Sequence, residues 1–144
     1  MLSDEAYAQL LALRTGLRVF LRWSERQARA AGLTPAQHQL LLAIRGHADP
    51  RGPTVGEVAD HLLLRHHSAV ELVDRADAAG LLKRVRDQED HRVVRLRLTE
   101  DGMRRLEALS ALHIQEIERL ASTIRASEGL LGAPGTAPDQ RRPA

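Results

Sequence analysis

The sequence predicts a mainly α-helical fold with one small β-hairpin. Only one Phe, one Tyr and one Trp occur among 144 residues although 43% of the residues are hydrophobic, so the core is expected to consist of Leu, Ala, Val and Ile. Most of these apolar residues recur three or four positions apart, which is the spacing of one helix face. Strict alternation appears only between Leu81 and Leu98, and it predicts a charged hairpin. A chain of this length is expected to form one domain.

The first half of the chain predicts two helices. From about Ser3 to Ala31 the apolar side chains follow helical spacing, and Gly32 is typical of the position just after a helix end. The segment Thr34-Pro35-Ala36-Gln37 combines a capping threonine, a proline at the first helical position and a glutamine that completes a capping box. It predicts the start of a second helix, which a loop with two prolines follows at 47–53.

The centre of the chain predicts two closely spaced helices, the hairpin and a further helix. Thr54-Val55-Gly56-Glu57 is a second capping box, and helical spacing resumes from Ala69 until Gly80. After the hairpin, Thr99 caps a long helix whose apolar seam is suited to packing against a partner helix. Two adjacent helices followed by a charged hairpin outline a winged helix-turn-helix, for which we expect binding to double-stranded DNA.

These boundaries predict the domain organisation. A single domain is expected at 1–127, with the DNA-binding part at about 34–98 and helices suited to dimerisation at about 3–31 and 99–127. Beyond it, residues 128–144 are rich in Pro, Gly and Ala, and we expect a disordered tail.

The start of the second helix of the helix-turn-helix is the predicted major-groove reader, because only that end approaches the base edges. The candidate DNA-contacting residues here are Arg65, His66, His67, Ser68 and Glu71. Two starting points are open. If the helix begins near Arg65, Glu71 projects toward DNA, where it repels phosphate but accepts a hydrogen bond from cytosine N4. If Ser68-Ala69-Val70-Glu71 is a capping box, the helix begins at Ala69 and Ser68 is structural.

The hairpin from Lys83 to Arg97 is the second predicted DNA-contacting element, because it carries six Lys or Arg against three acidic residues. An arginine at the tip of such a wing can enter the narrow minor groove, where the potential is most negative. We expect Asp90 to brace Arg92 through a charge-assisted hydrogen bond. The candidate contacts in the wing are Arg84, Arg86, Asp90, His91 and Arg92.

Other classes of protein find little support in the sequence. The chain has no cysteine, which excludes disulfides and thiol chemistry, and no nucleophile, carboxylate pair or phosphate loop stands at a spacing that suits an enzyme. Adjacent histidines diverge by about 100° on a helix, so His66 and His67 do not share a metal ion readily. No metal or cofactor is expected. The N-terminus resembles neither a signal peptide nor a membrane span, so we expect a cytoplasmic protein without membrane contact.

Three blocks of sequence, LTPAQHQLLLAI, LVDRADAAGLLKR and DHRVVRLRLTEDG, resemble the MarR family of bacterial transcriptional regulators. The family's wing pattern D-x-R-x-x-x-L-x-L-T-x-x-G is matched by Asp90, Arg92, Leu96, Leu98, Thr99 and Gly102. The resemblance covers roughly Leu10 to Leu120. It implies a homodimeric repressor that reads a pseudo-palindromic operator, with the helix from Arg65 to Ala79 in the major groove and Arg92 in the minor groove. Unspecific DNA coating and protein–protein contact are the alternative uses of such a fold.

The resemblance also implies a dimer interface and a cleft for a small aromatic or anionic effector. The candidate dimerisation residues are Leu10, Leu13, Leu17, Leu112, Ile117 and Leu120. The candidate cleft residues are Arg14, Arg18, Trp23, His38 and His113. The chain departs from the family at His67, Val70 and Glu71, where Ser, Thr or a basic residue is common, so the family's base preference does not carry over. It also offers one C-terminal helix where the family has two.

Overall fold

The computed structural model describes residues 1–128, which form five helices and one two-stranded sheet. The helices are α1 (Asp4–Ala30), α2 (Pro35–Gly46), α3 (Val55–Leu62), α4 (His66–Ala78) and α5 (Glu100–Glu128); the strands are β1 (Leu82–Arg86) and β2 (Val94–Leu98). The prediction of a mainly α-helical winged helix-turn-helix is therefore confirmed. The predicted disordered tail lies, from residue 129 on, outside the described residues.

Local sequence sets the helix starts. The hydroxyl of Ser3 accepts a hydrogen bond from the Ala6 amide at the start of α1, and the predicted capping boxes of Thr34 with Gln37 and of Thr54 with Glu57 are both formed. Each box satisfies two backbone N–H groups that a helix start otherwise leaves without partners. These predictions are confirmed.

The predicted hairpin is formed, and its two strands are antiparallel. Leu82 pairs with Leu98, Arg84 with Leu96, and Arg86 with Val94. Leu82 and Leu96 lie on one face and are buried, whereas the opposed pair Lys83 and Arg97 lies on the other face and is exposed to solvent. One face of the wing therefore closes the core, and the other carries charge to the surface.

The core lies where α2, α3, α4 and the N-terminal half of α5 meet the base of the hairpin. Its largest fully buried side chains include Leu40, Leu41, Val58, Val73, Leu81, Leu82, Leu96 and Leu109. No aromatic side chain belongs to this cluster, which agrees with the composition. The helix-turn-helix and the wing thus share one hydrophobic core.

Two glycines permit close approaches at the base of the wing. A Cβ at Gly102 would overlap the carbonyl oxygen of Leu81, so the first turn of α5 packs directly on the backbone that enters β1. A Cβ at Gly52 would overlap the carbonyl oxygen of Leu96, and Gly52 also has a φ of 97°, which favours glycine. Next to it, the Leu96 amide donates to the Pro53 carbonyl at 2.8 Å. The loop before α3 is thereby fastened to β2.

Candidate nucleic-acid interface

The turn between α3 and α4 spans residues 63–65 and presents the start of α4 to solvent. Arg65 is the N-cap residue, and no side chain caps this end of the helix. Arg65, His66 and His67 are exposed. An uncapped helix N-terminus offers backbone N–H groups and a partial positive charge, both of which suit a phosphate.

The structure decides between the two starting points of α4. The helix begins at His66, so Ser68 lies within its first turn and the capping box at Ser68-Ala69-Val70-Glu71 is wrong. Ser68 is half-buried and Glu71 is exposed. Glu71 lies one turn after His67 and therefore shares its side of the helix.

The tip of the wing is held by Asp90. Its carboxylate accepts a pair of hydrogen bonds from the Arg92 guanidinium, Nε to Oδ1 at 3.0 Å and Nη2 to Oδ2 at 3.1 Å. The Arg92 amide also donates to Asp90 Oδ1 at 3.1 Å. These hydrogen bonds lower the pKa of Asp90 and raise that of Arg92. The predicted brace is confirmed, and the Arg92 side chain remains 90% exposed.

The remaining predicted wing contacts have different surroundings. The Arg84 guanidinium forms ion pairs with Asp74 and Asp77 of α4, so it connects the wing to the helix-turn-helix and does not stand free. Arg86 donates to the carbonyl of His91 at 3.5 Å, across the tip. His91 itself is exposed. Sequence patterns alone did not indicate the partners of Arg84, because strand and helix meet only in the fold.

The sequence did not predict a cluster of charged residues where the tip of the wing begins. Asp87, whose side chain is 3% exposed, accepts hydrogen bonds from Arg95 Nε at 2.6 Å and from Arg51 Nη1 at 3.3 Å. Arg51 also binds Asp49 at 2.8 Å. Hydrogen bonds, first from Arg95 and then from the Glu89 amide, lower the pKa of Asp87 to about 2. The only signal in the sequence was an acidic residue three positions before Asp90.

Three of the five residues predicted for the effector cleft lie together where α1, α2 and α5 meet. The His113 ring is 4.9 Å from the Trp23 ring and 4.7 Å from the His38 ring, measured between centroids. His113 Nδ1 donates to the Leu109 carbonyl at 2.7 Å, which leaves Nε2 of the neutral ring to accept from the Ser24 hydroxyl at 2.6 Å. Arg14 and Arg18 are exposed and have no described contact with this cluster.

The residues predicted for dimerisation form an apolar surface on the single chain. Leu10, Leu13, Leu17, Leu112 and Ile117 are between 44% and 53% exposed, and Leu120 is half-buried. A groove of about 740 Å³ runs between the N-terminal half of α1 and the C-terminal half of α5, with Leu10, Leu13 and Leu120 in its walls.

Two further histidines, His47 and His61, lie side by side. His61 faces His47, with 3.0 Å between Nε2 and Nδ1, and the other nitrogen of His47 lies 2.7 Å from the Glu57 carboxylate. Within residues 1–128, no three His, Asp or Glu side chains are arranged to hold a metal ion. No helix in the same part of the chain is long and apolar enough to cross a membrane.

Comparison with known proteins shows which family the winged part of the chain resembles. Residues 31–93 match the model of the MarR family. The HTH-type transcriptional repressor MdtR of Bacillus subtilis (strain 168) is 28% identical over 106 residues, which is 74% of this chain. The match spans 66% of that relative, slightly less than two thirds of its length.

Solved structures show a similar fold. A MarR family protein from Bacillus stearothermophilus has a TM-score of 0.69 and 26% identity, and the alignment covers 90% of this chain and 96% of that one. The S. aureus MepR-DNA complex has a TM-score of 0.64 with 17% identity and covers 85% of each chain, a likeness of fold. The family match over the helix-turn-helix and most of the wing, together with these relatives, makes this part of the chain similar to the MarR family of transcription regulators.

Proposed function

We propose that this protein is a transcriptional repressor that binds a pseudo-palindromic operator as a homodimer. The observation that carries the proposal is the pairing of two exposed cationic elements on one core: the uncapped start of α4 with Arg65, and the wing tip with Arg92 braced by Asp90. The names of two similar proteins agree with it, since MdtR is a transcriptional repressor and MepR was solved in complex with DNA.

The two elements have different tasks on DNA. Exposed side chains at the start of α4, including His66, His67 and Glu71, are suited to base edges in the major groove, while the backbone N–H groups of this end suit a phosphate. Arg92 is suited to the minor groove, whose negative potential attracts a guanidinium. Because Asp90 already orders Arg92, less side-chain entropy is lost when the wing binds.

A homodimer would cover the apolar surface of α1 and α5. Leu10, Leu13 and Leu17 recur at helical spacing and are about half exposed in the single chain, and Ile117 adds a similar side chain from α5. An apolar surface of this kind is typical of a subunit interface. The dimer would then carry two linked reading heads, by which we mean the winged helix-turn-helix of each chain. These would bind the two halves of the operator.

The proposal includes an effector site at the junction of α1, α2 and α5. The His113 ring contacts both Trp23 and His38 there, so an aromatic ligand would have to part these rings and replace their contacts. Displacement of α5 relative to α2 would change the distance between the reading heads of the dimer.

The first test is Arg92→Ala in a fluorescence anisotropy titration with the DNA that flanks the protein's own coding region. Loss of the minor-groove contact is expected to weaken operator binding by about tenfold or more and to reduce its salt dependence. Dimerisation and helix content should stay unchanged. Arg22→Ala, which removes the same charge from an exposed position on α1, is the matched control and should bind as the wild type does.

Footprinting on the same DNA distinguishes the proposed repressor from the alternative uses of the fold. A discrete protected palindrome is expected. Protection without sequence preference would instead indicate a DNA-coating protein, and unchanged affinity in Arg92→Ala would refute the role given to the wing.

A further inference from the structure

Asp87 is the one carboxylate with a buried side chain among the described residues, and it lies at the base of the wing tip rather than in the hydrophobic core. Burial of a charged carboxylate costs free energy unless hydrogen bonds and ion pairs satisfy both of its oxygens. A buried aspartate is therefore expected to have a specific set of partners. Every described partner of Asp87 belongs to the wing or to the loop before α3. The residue is therefore connected to the candidate DNA-binding surface at both of its oxygens.

The two oxygens of Asp87 hold different parts of the molecule. Oδ1 accepts hydrogen bonds from the backbone amides of Glu89 at 2.8 Å and of Asp90 at 3.3 Å, which fold the tip into a turn. The Asp87 amide closes the same turn by donating to the Val93 carbonyl at 2.9 Å. Asp90, whose amide is held in this way, is the residue that binds the Arg92 guanidinium.

Oδ2 of Asp87 connects the wing to the loop between α2 and α3. It accepts from Arg95 Nε at 2.6 Å and from Arg51 Nη1 at 3.3 Å. Arg95 in turn donates from Nη1 to the Gly52 carbonyl at 2.9 Å, and Arg51 binds Asp49. This loop leads directly into Thr54, the N-cap residue of α3, so the contacts run from the wing tip to the start of the helix-turn-helix.

We infer that Asp87 is a positioning residue for DNA recognition: it fixes the wing tip to the loop before α3, so that Arg92 meets the minor groove while α4 occupies the major groove. This inference rests on the proposed function. A tip that is ordered before binding loses less conformational entropy when it meets DNA. The Arg92 side chain gains in the same way because Asp90 already holds it. Asp87 does not need to touch DNA for this role.

Simple electrostatics makes the opposite prediction, which allows a sharp test. A carboxylate near the phosphate backbone repels it, so its neutralisation should leave affinity unchanged or raise it. If Asp87 positions the tip, its neutralisation should instead lower affinity. The sign of the change therefore separates the two accounts.

The experiment measures operator affinity of the full chain for Asp87→Asn. Asparagine keeps an oxygen for the Glu89 and Asp90 amides, but it presents an NH₂ group where Arg51 and Arg95 both donate. We expect a loss of about tenfold in affinity. Glu89→Gln is the matched control, since Glu89 is 87% exposed, lies two residues away and undergoes the same change of charge, while the glutamine oxygen can still accept from its 3.5 Å partner Arg51. It should bind at least as well as the wild type.

A double-mutant cycle with Arg92→Ala shows whether Asp87 acts through the tip. In the Arg92→Ala background, Asp87→Asn should cost less than about twofold, because the contact that it positions is already absent. A full tenfold loss in that background would overturn the inference, and so would a single variant that binds as well as the wild type.

Backbone order of the wing provides a readout that does not depend on DNA. In Asp87→Asn, the ¹⁵N relaxation order parameters of residues 88–92 should fall from values typical of rigid backbone, about 0.85, toward those of a flexible loop. Unchanged order parameters would overturn the inference, whatever the DNA-binding results are. Equal affinity of the wild type for every DNA is a different outcome, and it would refute the proposed function.

A second variant covers the case in which Asp87→Asn does not fold, as judged by far-UV circular dichroism and thermal unfolding. Arg51→Gln leaves the shorter contact to Oδ2, from Arg95, in place, and it removes the longer one together with the ion pairs of Arg51 with Asp49 and Glu89. It should lower affinity in the wild-type background and have little effect in the Arg92→Ala background. A loss that persists in that background would indicate a direct phosphate contact by Arg51 and would overturn the positioning role.

Discussion

Leu63 is the residue whose backbone departs furthest from what its side chain favours. It caps α3 with a φ of 55° and a ψ of 41°, and it is the one residue other than glycine with a positive φ in the described part of the chain. The side chain is 92% exposed, so burial does not offset the cost of this conformation. The left-handed cap nonetheless lets the Leu64 amide bond to the Ala59 carbonyl at 2.9 Å, which closes the turn before α4.

Leu63→Gly should therefore stabilise the protein. Glycine adopts the left-handed region without a Cβ penalty, and we expect the free energy of unfolding to rise by about 0.5–1 kcal/mol in urea titrations. Gly80→Ala is the converse control, because Gly80 has a φ of 74° with open space around its Cα and should lose about 1 kcal/mol. A Leu63→Gly variant that is less stable than the wild type would show that Leu63 makes contacts that offset its strain.

Residues differ in how far their roles can be predicted from sequence. Thr34, Thr54 and Asp90 bind partners two or three positions away, so spacing alone predicted their hydrogen bonds. Asp87 and Arg51 are 36 positions apart, and their contact arises only when the loop before α3 meets the wing. No local pattern contains that information.

At the scale of elements, the junction of α1, α2 and α5 is the place where the flanking helices meet the winged part. His38 of α2 contributes a buried ring, and Trp23 of α1 and His113 of α5 complete the cluster. Burial, and then the positive charge that His113 can carry, lower the pKa of His38. The folded protein thus favours the neutral ring.

This shift predicts that stability falls with acidification. The unfolded His38 binds a proton near pH 6.5, while the folded one binds it only at lower pH, so the unfolded state holds more protons between these values. The free energy of unfolding should therefore decrease as the pH falls from 7.5 to 5.5 at fixed protein and salt concentration. The carboxylates with lowered pKa, such as Asp87 and Asp90, lose their contribution only at lower pH, as the pH falls from their unfolded pKa through their folded pKa.

Urea titrations of His38→Gln test this origin. The variant should have a flatter dependence of stability on pH than the wild type, since glutamine does not titrate. His91→Gln, at an exposed position of the wing, is the control and should leave the dependence as it is. If the free energy of unfolding depends on pH equally in the wild type and in His38→Gln, groups other than His38 cause this dependence.

For the whole molecule, the apolar surface of α1 is the feature that a single chain leaves open. Leu10, Leu13 and Leu17 lie along one side of the helix, beside the groove that α1 forms with α5. A second copy of the chain would cover this surface and double the number of reading heads, which is the basis of the proposed dimer.

Leu17→Glu should produce a monomer and weaken operator binding. A charge in the interface opposes burial, and a single reading head loses the gain from linked binding, which we expect to be at least about 100-fold. Sedimentation equilibrium and anisotropy titrations measure the two effects. Val19→Glu is the control, because Val19 is 59% exposed and points away from this side of α1. A dimeric Leu17→Glu protein would place the interface elsewhere.

The sequence by itself determined the order of the elements, the capping boxes, the antiparallel wing and the brace between Asp90 and Arg92. Each of these depends on residues a few positions apart, where spacing, capping and alternation act directly on the backbone. Only the tertiary structure decided where α4 begins, that Arg84 binds Asp74 and Asp77, and that Asp87 connects the wing tip to the loop before α3. The reason is physical: these contacts join segments that packing of the common core brings together, and ion pairs carry no periodic signal along the chain.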